Sequence, residues 1–298
     1  MQFRAESLGL AGHVTTILRE LVHERLGLFY DEGQVDLLAD RLAPLVVARG
    51  FGSFMEYYYL LKYSDDGEEW GRVMDALAVN ETYFWREIDQ VRAVVDHVVP
   101  KLTAELDGRP LKIWSVPCAT GEEPLTLAML LDEGGWFDRA PIEIVASDAS
   151  RGAIARATAG RYGERAFRNL PPVQRERYFR IVDDGRWAVA PELQRRIVYD
   201  VVNLVAADEV ARHADAPIIF CRNVFIYFSD RSIVRALDSF AASMPDPAFL
   251  CVGASESLLR LTGRFGLQEI GGAFIYVKDH NGTGGRAAAI SMPRIERV

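Results

Sequence analysis

From about Pro110 the chain alternates short, apolar, β-branched runs with amphipathic helical ones, a rhythm that few architectures satisfy. LKIWSV (111–116) gives way to the helical EEPLTLAMLLDE, and IEIVAS (142–147) to SRGAIARATA; RIVYDVV (196–202), IIFCRNVFIY (218–227), the helical SIVRALDSFAASM (232–244) and FLCVGA (249–254) follow. Strands joined through helices run mostly parallel and are covered on both faces. The predicted class is therefore α/β, a doubly wound sheet with its ligand site at the carboxyl ends of the strands. One segment breaks the rhythm. Residues 161–195, rich in arginine, aromatics and turn pairs such as Asp184-Gly185, read as a small inserted antiparallel β-subdomain.

Upstream, strand signals are missing. Ile17, Leu18, Leu21 and Val22 recur at helical spacing, as do Leu37, Leu38, Leu42, Leu45 and Val46, and Gly50 suits a helix stop. The expected organisation is a helical N-terminal domain over 1–78, a linker over 79–109 that carries NETYFWR (80–86), a main domain over 110–280, and a glycine-rich flexible tail over 281–298. NETYFWR poses a problem of its own. Three adjacent rings share neither one helix face nor one sheet face, so Tyr83, Phe84 and Trp85 must meet different surroundings.

Composition removes several function classes. The 298 residues carry a formal charge of −8, which makes the whole chain a poor nucleic-acid binder. No stretch approaches the ~20 apolar residues of a membrane span, and the start, MQFRAESLGLAGHV, lacks a signal-peptide pattern, so a cytoplasmic protein without membrane insertion is expected. Three scattered cysteines, Cys118, Cys221 and Cys251, read as buried thiols; with five dispersed histidines they offer neither a disulfide framework nor metal-ligand spacing, and no metal site is expected. GxSxG is absent as well, which leaves a serine hydrolase without an anchor.

The chemistry concentrates where strands end. In SVPCATGEEP (115–124), Thr120 and Glu123 have the spacing of a capping box and Pro124 suits a first helical turn; Glu122 is left without a structural task. Two carboxylates at a helix N-terminus, with no GxGxxG, repel a pyrophosphate and favour a cofactor that has no phosphate and carries positive charge. S-adenosylmethionine, with its sulfonium and ammonium, fits. Asp148, at the end of the next strand, reads alone as a helix cap, but within this βαβ unit it is the better ligand for a ribose diol. Arg222, Asn223 and Tyr227 are the polar residues of an otherwise apolar strand whose end forms the mouth of the same cleft, so contacts to cofactor or substrate are expected of them.

Together these stretches resemble one family, the chemotaxis receptor glutamate O-methyltransferases of CheR type. NETYFWR (80–86), SVPCATGEEPLT (115–126), ASD (146–148), Val202-Asn203-Leu204 and FCRNVFIYF (220–228) follow the family's motifs in order, and the likeness covers roughly residues 12–278. Departures are Trp85 for a second Phe, Pro117 where many members have Gly, Leu125 for Tyr, and Gly253-Ala254-Ser255-Glu256 without the family's His.

The resemblance implies a class I, Rossmann-like S-adenosylmethionine-dependent methyltransferase domain with an inserted β-subdomain, behind an all-helical domain. It further implies that Asn80, Thr82, Arg86, Glu122, Asp148, Asn203, Leu204, Arg222 and Asn223 bind the cofactor, leaving S-adenosylhomocysteine as product, with Arg86 and Tyr227 nearest the transferred methyl. The implied partner is the helical cytoplasmic region of a chemoreceptor, modified by a monomer. Docking is expected on a basic face of the helical domain, where no basic stripe stands out, or on the insertion's Arg161, Arg165, Arg168, Arg175, Arg177 and Arg180. Two other readings stay open: a methyltransferase serving a non-motility receptor pathway, and a non-catalytic module that binds the cofactor or its product.

Overall fold

The computed structural model describes residue 8 and residues 12–64, 66–182 and 185–278; the tail expected at 281–298 lies outside them. Four helices come first: α1 (Gly12–Leu26), α2 (Val35–Ala48), α3 (Phe54–Tyr63) and α4 (Gly67–Leu77). Ser53 and Asp66 start the last two by accepting hydrogen bonds from the first free backbone N–H groups. Their apolar stripes meet in one cluster that includes Leu18, Leu38, Leu42, Phe54, Tyr57 and Val73; Leu37, although in register with the stripe of α2, is exposed.

Within this cluster Glu69 is buried, and its carboxylate accepts from Tyr57 Oη at 2.6 Å and from Arg49 and Arg72 at 2.8 and 2.9 Å. Burial alone would raise the Glu69 pKa, but the bonds from Arg49 and Tyr57 bring it below its ordinary value. Glu69→Gln is expected to cost about 1–3 kcal/mol at neutral pH. A depressed folded-state pKa stabilises above the unfolded value, so the difference in urea midpoint between wild type and variant should shrink below about pH 4.

The segment 88–105, grouped with the linker from sequence, is helical: α5 (Ile88–Ala93), a π-turn (Val94–Val98) and α6 (Val99–Glu105). Val91, Val94, Val95, Val98, Val99 and Leu102 are buried against the sheet, and this burial outweighs the weak helix preference of valine.

The sheet then builds in chain order. β1 (Leu111–Ser115), α7 (Glu122–Glu133), α8 (Trp136–Arg139), β2 (Ile142–Asp148) and α9 (Arg151–Ala159) form its first βαβ unit. The insertion follows, with β3 (Arg161–Tyr162), α10 (Pro172–Tyr178), β4 (Phe179–Ile181), β5 (Trp187–Val189) and α11 (Pro191–Gln194). The main sheet resumes with β6 (Ile197–Val201), α12 (Ala207–Ala211), β7 (Ile218–Phe220), α13 (Asp230–Ser243), β8 (Ala248–Cys251), β9 (Gly266–Ile270) and β10 (Ala273–Lys278).

Strand order is β6-β2-β1-β7-β8-β10-β9, with β10 antiparallel to both its neighbours, and the insertion forms a separate antiparallel sheet, β3-β5-β4. This is the expected class I arrangement. Alternation along each strand divides the core: Ile113 belongs to the cluster on one face and Trp114 to the cluster on the other. Strand order reverses between β1 and β7, and ligand crevices form at such a switch point.

One expected strand is shorter than its apolar run. Only Ile218–Phe220 pair as β7; the chain then turns through Asn223 at φ 60° into a short 3-10 helix, Phe225–Tyr227.

Among the described residues no helix is long and apolar enough to cross a membrane.

Candidate active site

The carboxyl ends of β1, β2, β6 and β7 open into a cavity of about 340 Å3, roofed by the helical domain. Leu28 bridges to Phe228, Phe29 N donates to Tyr227 O at 2.8 Å, and Asn203 Nδ2 donates to Arg25 O at 2.8 Å. On the far side, Asp75 of α4 accepts from Ser150 Oγ at 2.6 Å and from Gly152 N at 3.0 Å, at the start of α9. The roof is thus hydrogen-bonded to the loops that carry the expected ligands.

Asp148, Asn203, Leu204, Asn223, Tyr227 and Asn80 line this cavity. A smaller adjoining pocket of about 60 Å3 adds Thr82, Arg86 and Arg222 and shares Asp148, Asn223 and Pro117 with the first. Glu122 faces an open groove beyond, where Asn80 and Thr82 appear again. Every residue expected at the site therefore lies on one continuous cleft. Asn203 differs in its role: its Nδ2 holds Arg25 and its Oδ1 accepts from Val205 N at 3.2 Å, so it ties the roof down as well as forming wall.

The β1–α7 turn is not built on a capping box. Gly121, at φ 95°, occupies the N-cap; Thr120 Oγ1 donates to Glu122 Oε2 at 2.6 Å, and Glu123 Oε1 takes the Ser115 hydroxyl at 2.7 Å. A Cβ at Gly121 would lie 3.0 Å from Tyr162 Oη and 3.1 Å from Ala157 Cβ, so both the backbone conformation and the space favour glycine. Pro117 follows a cis bond and lacks an N–H, and the next two donors are already engaged: Cys118 N with Ser147 O and Ala119 N with Asp148 Oδ2.

Three carboxylates outside the expected ligand set support the cleft. Arg222, whose side chain is 2% exposed, lies between Glu87 (3.0 Å) and Glu123 (3.2 Å), and its Nη2 also donates to Arg86 O. Glu256 accepts backbone N–H groups of the loop after β7. These partners are distant in sequence, and no local pattern announces them. For Glu256 the only signal was the GASE stretch.

Burial sets the acids apart. It pushes the carboxyls of Glu122, Glu123 and Asp148 above their ordinary values, against opposing hydrogen bonds from Thr120 in the first and from Ser150 N and Ala119 N in the last, and against the Arg222 charge at Glu123. At Glu87 burial acts in the same direction, but the charge and hydrogen bond of Arg222 prevail and lower the pKa. All three cysteines are buried, and burial raises their thiols, so none is a ready nucleophile.

The cleft fits a cationic nucleoside cofactor. In the cavity and the smaller pocket Asp31, Glu81, Glu123 and Asp148 stand against Arg41, Arg86 and Arg222, of which Arg222 is already neutralised by Glu87 and Glu123; that balance disfavours a phosphate and suits a sulfonium and an ammonium. Asp148 keeps lone pairs for ribose hydroxyls beyond the one N–H that each oxygen accepts. Leu204 and Val224 supply apolar wall for a base. Arg222 Nε is buried without a partner among the described residues, a donor still to be satisfied at the floor of the smaller pocket.

NETYFWR resolves into three directions. The Tyr83 ring stacks under Arg168 (3.6 Å) and near Arg86 (5.7 Å); Phe84 is buried among Tyr162, Phe167 and Phe179 of the insertion; Trp85, at φ 66°, turns into the main core with its indole N–H unpartnered among the described residues.

The six arginines of the insertion also divide. Arg161, Arg165 and Arg168 line the open groove with Arg41 and Arg156, whereas Arg175 pairs with Glu164 and stacks on Trp187, Arg177 binds Asp132 at 2.7 Å, and Arg180 caps the carbonyls of Glu176 and Phe179. A basic strip therefore leads into the cleft.

Comparison with known proteins agrees with this architecture. The family model described as CheR methyltransferase, SAM binding domain, matches residues 80–272, and the one described as CheR methyltransferase, all-alpha domain, matches residues 16–78. Chemotaxis protein methyltransferase 2 of Vibrio cholerae is 32% identical over 265 residues, covering 89% of this chain and 92% of that one. Chemotaxis protein methyltransferase 1 of Pseudomonas aeruginosa is 30% identical over 268 residues, covering 87% and 96%. The chemotaxis protein methyltransferase of Borreliella burgdorferi is 29% identical over 246 residues, covering 81% and 87%.

Proposed function

The chain belongs to the CheR methyltransferase family, and from that premise we propose that it esterifies glutamate side chains on the cytoplasmic helices of a chemoreceptor. S-adenosylmethionine is its cofactor and chemotaxis-type signalling its setting. The observation that carries the proposal is the groove leading to the cleft, where Arg41, Arg156, Arg161, Arg165 and Arg168 outnumber Glu81, Glu122 and Glu164 on a chain with net charge −8, an excess that favours an acidic partner locally. Phe29, Leu37, Val79 and Ile226 are exposed around the adjoining cavity, so an acidic, amphipathic helix matches both the basic and the apolar lining.

When bound, the cofactor supplies an electrophilic methyl. A glutamate carboxylate, with reference pKa about 4.3, is ionised at neutral pH and needs no general base. No histidine among the described residues lines the cleft or the groove, and Cys118, its one thiol, is buried with a raised pKa. What remains for the chain is alignment and exclusion of water, which can contribute ~7–11 kcal/mol in favourable cases. Arg86 orients the acceptor carboxylate through its guanidinium fork, and the Tyr227 ring faces the cationic centre. Tyr227→Phe keeps that ring, so its kcat is expected to fall less than about tenfold in a steady-state assay.

The test uses methyl-labelled cofactor with the cytoplasmic region of a methyl-accepting receptor. Label that enters the receptor and leaves as methanol in mild alkali supports the proposal. Label that survives alkali, or never enters the receptor, contradicts it; in the second case a non-catalytic binding module becomes the better reading.

A further inference from the structure

Glu256 is a carboxylate turned entirely toward backbone. It is buried, and its Oε2 accepts from Asn223 N at 2.8 Å and Gly253 N at 2.7 Å, while Oε1 accepts from Phe225 N at 2.7 Å and Ile226 N at 3.4 Å. The loop it gathers is the one that bends sharply after β7 and presents Asn223 to the cofactor cavity at its start and Tyr227 at its end. Asn223 sits at φ 60°, a conformation a non-glycine residue holds only when its surroundings fix it.

Gly253 completes the support. A Cβ there would lie 2.5 Å from Asn223 Nδ2 and 2.9 Å from Glu256 Oε2, so only glycine lets the Asn223 amide and the Glu256 carboxylate pack against the same backbone.

We infer that Glu256, with Gly253 beneath it, is the positioning residue that sets Asn223 and Tyr227 in the geometry the transfer requires, acting through the loop backbone without touching cofactor or substrate. The inference rests on the roles proposed above for Asn223 and Tyr227. It also gives the GASE stretch a function that the missing histidine does not affect.

An amide at this position would turn a donor toward backbone donors, so either orientation leaves two N–H groups facing an NH2. In the full chain, Glu256→Gln is expected to weaken S-adenosylhomocysteine binding about tenfold by calorimetry and to lower kcat about a hundredfold. Gly253→Ala crowds both the Asn223 amide and the Glu256 carboxylate, so it should raise KM for the cofactor several-fold and lower kcat in the same direction as Glu256→Gln but less. It also decides the matter if Glu256→Gln does not fold. In a double-mutant cycle, Tyr227→Ala, which removes the ring, should have little further effect in the Glu256→Gln background.

Wild-type kcat and affinity in a folded Glu256→Gln, or an additive cycle, would overturn the positioning role alone. If Tyr227→Ala and Asn223→Ala are themselves without effect, the residue roles it rests on fall, and the inference with them.

Discussion

Replacing Arg86 by alanine is expected to lower methyl transfer about 10²–10³-fold while the protein stays folded. Within the protein its guanidinium makes one hydrogen bond, to Glu81 O at 2.9 Å, lies 5.7 Å from the Tyr83 ring centre, and is 4.0 Å from Glu87 Oε1. None of these is a buried pair, so the cost in stability should stay within about 1 kcal/mol. The loss in rate comes instead from the acceptor carboxylate: the other guanidinium of the smaller pocket, Arg222, has both Nη atoms held by Glu87 and Glu123 and keeps only its buried Nε, which cannot form a two-donor fork. Arg86→Lys tests the fork. A single ammonium keeps the charge but not two parallel donors, so it should recover only part of the rate. Unchanged turnover in Arg86→Ala would remove Arg86 from the chemistry.

Arg222→Ala is expected to act on stability as strongly as on rate. Its removal leaves the half-buried Glu87 and Glu123 facing each other across the space of the buried guanidinium and frees Arg86 O, which should cost about 3 kcal/mol. The penalty depends on pH with a definite sign. Arg222 lowers both carboxyls, so without it burial raises Glu123 further and Glu87 loses its main lowering partner; both take up protons at higher pH than in wild type, and the variant gains on wild type as pH falls. Denaturant unfolding of wild type and variant at neutral pH and near pH 5 should therefore show the gap narrowing on acidification. A loss below about 1 kcal/mol at neutral pH would mean that the Glu87–Arg222–Glu123 network contributes little to holding the cleft together. Cofactor binding should fail in parallel, since Glu87 also holds Asn223 Nδ2 and Ala254 N.

Much of this cleft was legible in the sequence, because the informative residues sit where local pattern changes. Polar Asp148, Arg222 and Asn223 stand out against buried strands, and the alternation of runs alone fixes which ends of those strands meet. The supporting carboxylates were not legible. Glu87 reaches Arg222 across 135 positions and Glu256 reaches Asn223 across 33, contacts that exist only once the sheet has formed. Local rules failed where tertiary demands overrode them. The T-x-x-E spacing at Thr120 suggested a capping box, but Gly121 in the left-handed conformation starts α7, and Ser115 and Arg222 take Glu123 instead. The run 218–227 read as one long strand, yet three of its N–H groups, of Asn223, Phe225 and Ile226, turn to Glu256, and the chain bends soon after Phe220. Helix 88–105 was missed for a different reason: its valines have helical spacing but strand propensity, and burial against the sheet decides between them.

The division of the three rings follows the same logic. Phe84 packs on the insertion, Trp85 on the main core and Tyr83 beside the arginines of the cleft, so one short segment registers the insertion and the main domain against the cofactor site.

The most direct test of the account is tandem mass spectrometry of a chemoreceptor cytoplasmic fragment after incubation with the protein and S-adenosylmethionine. The account predicts peptides heavier by one methylene, with the added mass localised to glutamate side chains and lost on mild alkaline treatment. A methyl group placed on any other residue type, or one that withstands alkali, would contradict it.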